Sequence, residues 1–120
     1  MRAQNLQQMH RDHVPAVPPP FHLLGSTAVS PNQGMVRLYP GAAAAAAPAD
    51  ARPADVQIFT VQGHPEFHRA ITDEIVKARR AGGLFDDALL ADYARRAEWR
   101  NDGVDVVGRA MWEILRAARG

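Results

Sequence analysis

The chain has 120 residues, 14 basic and 13 acidic side chains, a formal net charge of +1 and no cysteine. That length holds one compact domain at most, and the balanced charge gives no electrostatic case for nucleic acid or an anionic membrane as a partner. Zero cysteine excludes disulfides, thiolate metal sites and any cysteine nucleophile supplied by these residues.

Hydrophobic residues make up 47% of the chain, but 22 of them are alanines, so the larger apolar side chains support only a modest core. No apolar run approaches the ~18 residues of a membrane span. Met1–Asp12 is polar and carries no signal-peptide pattern, so a cytoplasmic location is the expectation. Thirteen arginines stand against the single Lys77, a bias that accompanies the alanine content and carries no functional weight.

Leu6–Val14 is a candidate strand. Pro15-Ala16-Val17-Pro18-Pro19-Pro20 excludes helix and reads as an extended or turn connection. Phe21–Val29 is a second candidate strand, Ser30-Pro31-Asn32-Gln33-Gly34 a turn signal, and Met35–Tyr39 a third strand; their closeness predicts an antiparallel hairpin. Gly41–Asp55, with six consecutive alanines from Ala42 to Ala47 followed by Pro48 and Pro53, has no apolar stripe to bury and reads as a mobile, low-complexity insertion between two strands.

Val56–Gln62 is β-branched and aromatic and is the strongest strand signal in the chain. Three helices are expected after it. Phe67, Ile71, Ile75 and Ala78 recur at helical spacing and stop at Gly82-Gly83. Phe85, Leu89 and Tyr93 form a second stripe ending near Asn101-Asp102-Gly103. Val104, Val107, Met111, Ile114, Leu115 and Ala118 give the cleanest 3.6-residue pattern. Strands followed by helices mean α+β, or the last section of a larger α/β domain.

The turn Gln62-Gly63-His64-Pro65-Glu66-Phe67 lies between the best strand and a helix, where open α/β sheets place ligand chemistry. Pro65 biases His64 towards an extended conformation, and residues i and i+2 of an extended segment project to one side. The Glu66 carboxylate can therefore accept from Nδ1–H of His64 and leave Nε2 free as a general base. From spacing alone the signal is weak, and an ordinary exposed turn is the favoured reading.

Five histidines, His10, His13, His22, His64 and His68, raise the question of a metal. His64 and His68 have two-ligand helical spacing, but Pro65 between them argues that the helix starts later, so solvated or hydrogen-bonded histidines are expected and no metal site. Asp73-Glu74 and Asp86-Asp87 fit favourable positions in helix dipoles or on exposed faces, and Arg79-Arg80 a helix C-terminus. Arg95-Arg96 with Trp99-Arg100 is interrupted by Asp92 and Glu98 and reads as a solvated face. Trp112 reads as a packing residue on the last helix.

Val61-Gln62-Gly63-His64-Pro65-Glu66-Phe67 resembles the C-terminal signature of class I glutamine amidotransferases. Leu6-Gln7-Gln8-Met9-His10-Arg11-Asp12-His13-Val14 resembles that family's strand with a His-x-Asp element before a proline-rich turn. Pro19-Pro20-Phe21-His22-Leu23-Leu24-Gly25-Ser26 looks like its following strand, and Pro31-Asn32-Gln33 its next turn. Arg100-Asn101-Asp102-Gly103-Val104 in the helical tail is similar to fungal cytoplasmic members. Most of the chain outside Gly41–Asp55 is covered, in the family's order.

The resemblance implies a partial flavodoxin-like α/β domain spanning residues 1–120, with the insertion at 41–55. It implies that His64 is the general base for a cysteine thiol, that Glu66 orients His64, and that Met9 and His10 lie beside bound glutamine through main-chain contacts. Glutamine or a γ-glutamyl compound is the implied substrate; no cofactor is implied. The family releases ammonia from glutamine through a cysteine thioester, and the nucleophile elbow belongs to the earlier half of its domain. Without cysteine the expectation is no glutaminase activity from these 120 residues. The alternative is a non-catalytic interaction module, or a truncated product pairing with a missing half, with a protein partner at an exposed sheet edge.

Overall fold

In the computed structural model, which describes residues 4–42 and 50–118, three strands precede three helices. The strands are β1 (His22–Gly25), β2 (Gly34–Leu38) and β3 (Val56–Val61), hydrogen-bonded in the order β1-β2-β3, and both pairings are antiparallel. Val36 faces His22 on one side and Phe59 on the other, so alternation along β2 puts Val36 on the buried face. The architecture is mixed α/β, with strands before helices as the sequence pattern requires.

The hairpin expected from the Ser30–Gly34 turn is present. Its connection is held by short polar side chains. Thr27 Oγ1 accepts from the Ser30 N–H at 3.0 Å, and Asn32 Oδ1 accepts from the Gly34 N–H at 3.2 Å. These bonds let Ser30 and Asn32 be buried without stranded polar groups. Gly34 needs its missing side chain, because a Cβ there would lie 2.7 Å from the Thr60 carbonyl oxygen of the neighbouring strand.

Two strand expectations are corrected. Phe21–Val29 shortens to β1, since from Thr27 onward the backbone bonds to its own turn, Thr27 N–H donating to the Ser30 carbonyl. Leu6–Val14 forms no ladder; its extended backbone makes one antiparallel bridge, Gln7 with His64. The segment does not run along the free edge of β3; it meets the turn beyond Val61, where β3 has ended.

Of the insertion expected at Gly41–Asp55, residues 43–49 lie outside the described residues. The remainder is more built than composition suggested. Pro53–Asp55 is a single 3₁₀ turn, Arg52 clasps the Asp55 carboxylate through two guanidinium bonds of 3.1 and 2.9 Å, and the Tyr39 N–H donates to the Asp55 carbonyl across the strand ends.

Helix α1 (Arg69–Ala81) ends where the glycines said it should. Gly82 caps it, Gly83 takes the left-handed φ of 69° that favours glycine, and the Leu84 N–H returns to the Arg79 carbonyl. Helix α2 (Asp87–Arg96) starts at Asp86, whose carboxylate accepts from the Leu89 N–H at 2.8 Å. The third helix differs from its regular pattern: Gly103–Gly108 is a π-helical turn that runs directly into α3 (Arg109–Ala117). None of the described helices is long and apolar enough to cross a membrane.

Helix α3 packs on the 3₁₀ turn Pro53–Asp55, beside the sheet. Ala110 and Ile114 there join Leu24, Val36, Val56 and Phe59 around a shallow hollow of about 220 Å³. The core is thin. Among the described residues Val36 and Val107 are the buried hydrophobics, while Trp112, expected to pack, is 57% exposed.

Candidate functional site

β3 delivers the chain to the turn containing His64, and α1 takes it away. Gly63 permits the approach of the amino-terminal segment, since a Cβ there would meet the Gln8 side-chain amide at 2.5 Å and Leu6 Cβ at 3.2 Å. The His64 N–H donates to the Gln7 carbonyl at 2.9 Å, fixing the backbone on that side. His64 opens a β-turn through Pro65 and Glu66, closed by the Phe67 N–H donating to the His64 carbonyl at 3.3 Å, and this turn, rather than the extended segment expected, puts the side chains of residues 64 and 66 together.

His64 Nδ1 lies 2.9 Å from Glu66 Oε1. The hydrogen bond from His64 holds the Glu66 carboxyl below the usual carboxylate range, assisted by its own backbone N–H. With Nδ1 donating, the lone pair of the neutral ring sits on Nε2, which has no hydrogen-bond partner among the described residues. Phe67 stacks on the imidazole, with ring centroids 4.0 Å apart and planes 6° from parallel. The pair lies on open surface, His64 being 34% and Glu66 63% exposed at the side chain. The hollow beside α3 does not include it.

The arrangement can hold a neutral imidazole in one tautomer with the basic nitrogen outward, a geometry suited to accepting a proton from an adjacent acid. Met9 and His10 follow directly on the Gln7–His64 bridge. The His10 ring is engaged elsewhere, at 2.8 Å from Gln8 Oε1 and 2.9 Å from the Asp12 carbonyl oxygen. The structure thus brings His64 and Glu66 together, and brings Gln7 and Gln8, rather than the His10 side chain, to their turn. His68 precedes α1 and does not share a helix with His64. No group of three or more metal-capable side chains forms among the described residues.

The residues that sequence reasoning missed are those that clamp this turn from the far end of the chain. The Asn101 side-chain amide donates to the Phe67 carbonyl, and its oxygen accepts from the Gly103 N–H at 2.9 Å. Asp102, buried, accepts from the Asn5 N–H at 3.0 Å and from Arg100 Nε at 2.8 Å, while its own N–H donates to the Asn5 carbonyl. Gly103 packs on the backbone of Pro65. Asn-Asp-Gly in the sequence signals a turn; nothing local signals its partner.

The other charged clusters have structural partners. Arg95 and Arg96 both pair with Asp92 and lie 5.7 and 6.0 Å from the Trp99 ring centroid. Asp73, expected at a helix dipole or on an exposed face, accepts from the Tyr93 hydroxyl at 2.5 Å and pairs with Arg69.

A carboxylate-oriented imidazole just past the end of a strand, in a strand-then-helix chain, is a candidate proton acceptor. The comparison that carries this further is with a glutamine amidotransferase-like protein of the fission yeast Schizosaccharomyces pombe. The chain is 30% identical to it over 94 residues, which are 78% of this chain and 31% of that protein. On that similarity the chain is a relative of a glutamine amidotransferase-like protein, and it spans about a third of that relative's length. No family model and no solved structure matches the chain.

Proposed function

We propose that these residues are the C-terminal portion of a class I glutamine amidotransferase-like domain of flavodoxin-like architecture, acting in the cytoplasm, with His64 as general base and Glu66 as its orienting carboxylate. The observation that carries this reading is the 2.9 Å bond between His64 Nδ1 and Glu66 Oε1. It leaves Nε2 to take the proton of a cysteine thiol. The thiolate adds to the side-chain amide carbon of glutamine, the proton passes from Nε2 to the departing nitrogen, ammonia leaves, and water then cleaves the thioester. The sulfur is not among these 120 residues. The main chain around Met9 and His10 lies beside the substrate, glutamine or a γ-glutamyl compound, and no cofactor takes part.

Ammonia release from L-glutamine tests the reading. The 120-residue chain alone gives no more ammonia than its His64→Ala variant. Joined to a cysteine-bearing amino-terminal segment it gains activity, which His64→Ala lowers by roughly 10²–10⁴-fold. Release by the isolated chain above the His64→Ala level overturns it.

A second reading, an interaction module, is favoured by the thin core. The Cα radius of gyration is 16.4 Å, against roughly 13 Å for a compact domain of this size. In this reading an exposed sheet edge, β1 or β3, pairs with a protein partner. Sedimentation and hydrogen exchange separate the cases: a stable, protected monomer supports the module, and an aggregate or molten state supports a portion of a larger domain.

A further inference from the structure

We infer that Asn101 is a positioning residue for His64, acting through Phe67; the inference rests on the reading of His64 as a general base. A single hydrogen bond at Nδ1 fixes one edge of an imidazole but leaves the ring free to swing about that bond. The Glu66 partner is 63% exposed at the side chain, and a polar pair exposed to this degree, in competition with water, holds its members weakly. A second constraint, on the plane of the ring, is needed to aim Nε2. Phe67 supplies it by stacking face to face, 4.0 Å away and 6° from parallel.

Phe67 has little of its own to hold it. It lies after β3 and before α1, outside both hydrogen-bond ladders. Its N–H makes only a 3.3 Å bond to the His64 carbonyl. The first turn of α1 uses the His68 carbonyl, which accepts from Ile71 and Thr72, so the Phe67 carbonyl is left over. Asn101, 34 residues further on, takes it.

The orientation of that amide is not free. A carbonyl can only accept, so Nδ2 must face Phe67; a backbone N–H can only donate, so Oδ1 must face Gly103. The two bonds define one rotamer, and the Gly103 backbone that receives it is itself wedged on Pro65, with a hypothetical Cβ lying 2.8 Å from Pro65 Cα and 2.9 Å from its carbonyl carbon. Asp102, bonded to Asn5, anchors the same turn to the segment whose Gln7 pairs with His64. Asn101 therefore sets Phe67, Phe67 sets the ring plane, and Glu66 sets the proton.

The test reads the tautomer of His64 in the full chain by long-range ¹H–¹⁵N correlation above the imidazole titration. The wild type carries the proton on Nδ1 and shows nuclear Overhauser contacts between the His64 and Phe67 rings; Glu66→Ala lowers the Nδ1–H population at least twofold. Asn101→Ala lowers it at least twofold and removes the ring contacts. Asn101→Asp keeps an acceptor for Gly103 but has no donor for Phe67, and behaves as Asn101→Ala does, including where the alanine variant fails to fold. Asp86→Ala, which removes a helix cap elsewhere, leaves tautomer and contacts as in the wild type.

Unchanged tautomer and ring contacts in Asn101→Asp, with Glu66→Ala still effective, overturn the role of Asn101 and leave the base reading standing. A His64 tautomer indifferent to Glu66→Ala overturns both.

Discussion

Gly103 rests on Pro65 with no room for a side chain. An added Cβ would stand 2.8 Å from Pro65 Cα, and closer still to its carbonyl oxygen. Both neighbours are backbone, so relief requires moving the turn that carries His64. Alanine brings an opposing gain, since Gly103 opens a helical segment and alanine is favoured over glycine there by about 1 kcal/mol. Overpacking against main chain costs about 1–3 kcal/mol. We expect Gly103→Ala to lower unfolding stability in urea by up to about 2 kcal/mol and to shift the amide resonances of residues 64–67. A stabilised variant with unmoved resonances contradicts the packing.

The Tyr93–Asp73 bond between α2 and α1 has a pH window whose limits follow from its two groups. The bond from Tyr93 holds the Asp73 carboxyl below its ordinary value, with Arg69 adding to the effect. A lowered carboxylate contributes stability that is present above its unfolded pKa, near 4, and lost as pH falls through the folded value. Burial, and then the Asp73 bond, push the Tyr93 hydroxyl upward. A raised phenol contributes stability that is full below its unfolded pKa, near 10, and lost as pH rises through the folded value. Thermal melts of Tyr93→Phe should fall below wild type between about pH 5 and pH 9, converging towards it at both extremes. A difference independent of pH would mean that the hydroxyl acts only through its contact with buried Thr72, at 3.2 Å.

Asp86 accepts the Leu89 N–H at the start of α2. Asp86→Ala leaves that donor to water and should cost about 1 kcal/mol, read from the denaturation midpoint at unchanged slope. Asp86→Asn preserves an acceptor and should cost only a few tenths. Equal losses in the two variants would assign the effect to charge rather than to the cap.

Local chemistry made much of this legible. The pairing of His64 with Glu66 was legible, although a β-turn at Pro65-Glu66 makes it rather than an extended segment, and Gly82-Gly83 and Asp86 mark helix ends that depend only on neighbouring residues. What failed depends on remote partners. Leu6–Val14 has the composition of a strand, yet it meets the turn beyond β3 rather than the free edge of β3, and makes one bridge there. The π turn at Gly103–Gly108 hides inside a good 3.6-residue pattern, because Val104 and Val107 fit that spacing in either helix. Trp112 looked like core, but no described element covers it. The relation of Asn101 to Phe67 joins a loop residue to a backbone carbonyl, and such a pair has no period to detect.

The reciprocal bonds between Asn5 and Asp102 join residues 97 positions apart. Closing a loop of that length carries a logarithmic entropy cost of roughly 4 kcal/mol, and contacts at such separation form late because the chain must be gathered before they reward it. The hairpin, β3 and the helices can each develop from short-range contacts, whereas the ground beneath His64 cannot. The histidine turn itself closes locally, but the contacts that clamp it require the opening and closing stretches of the polypeptide to meet across it.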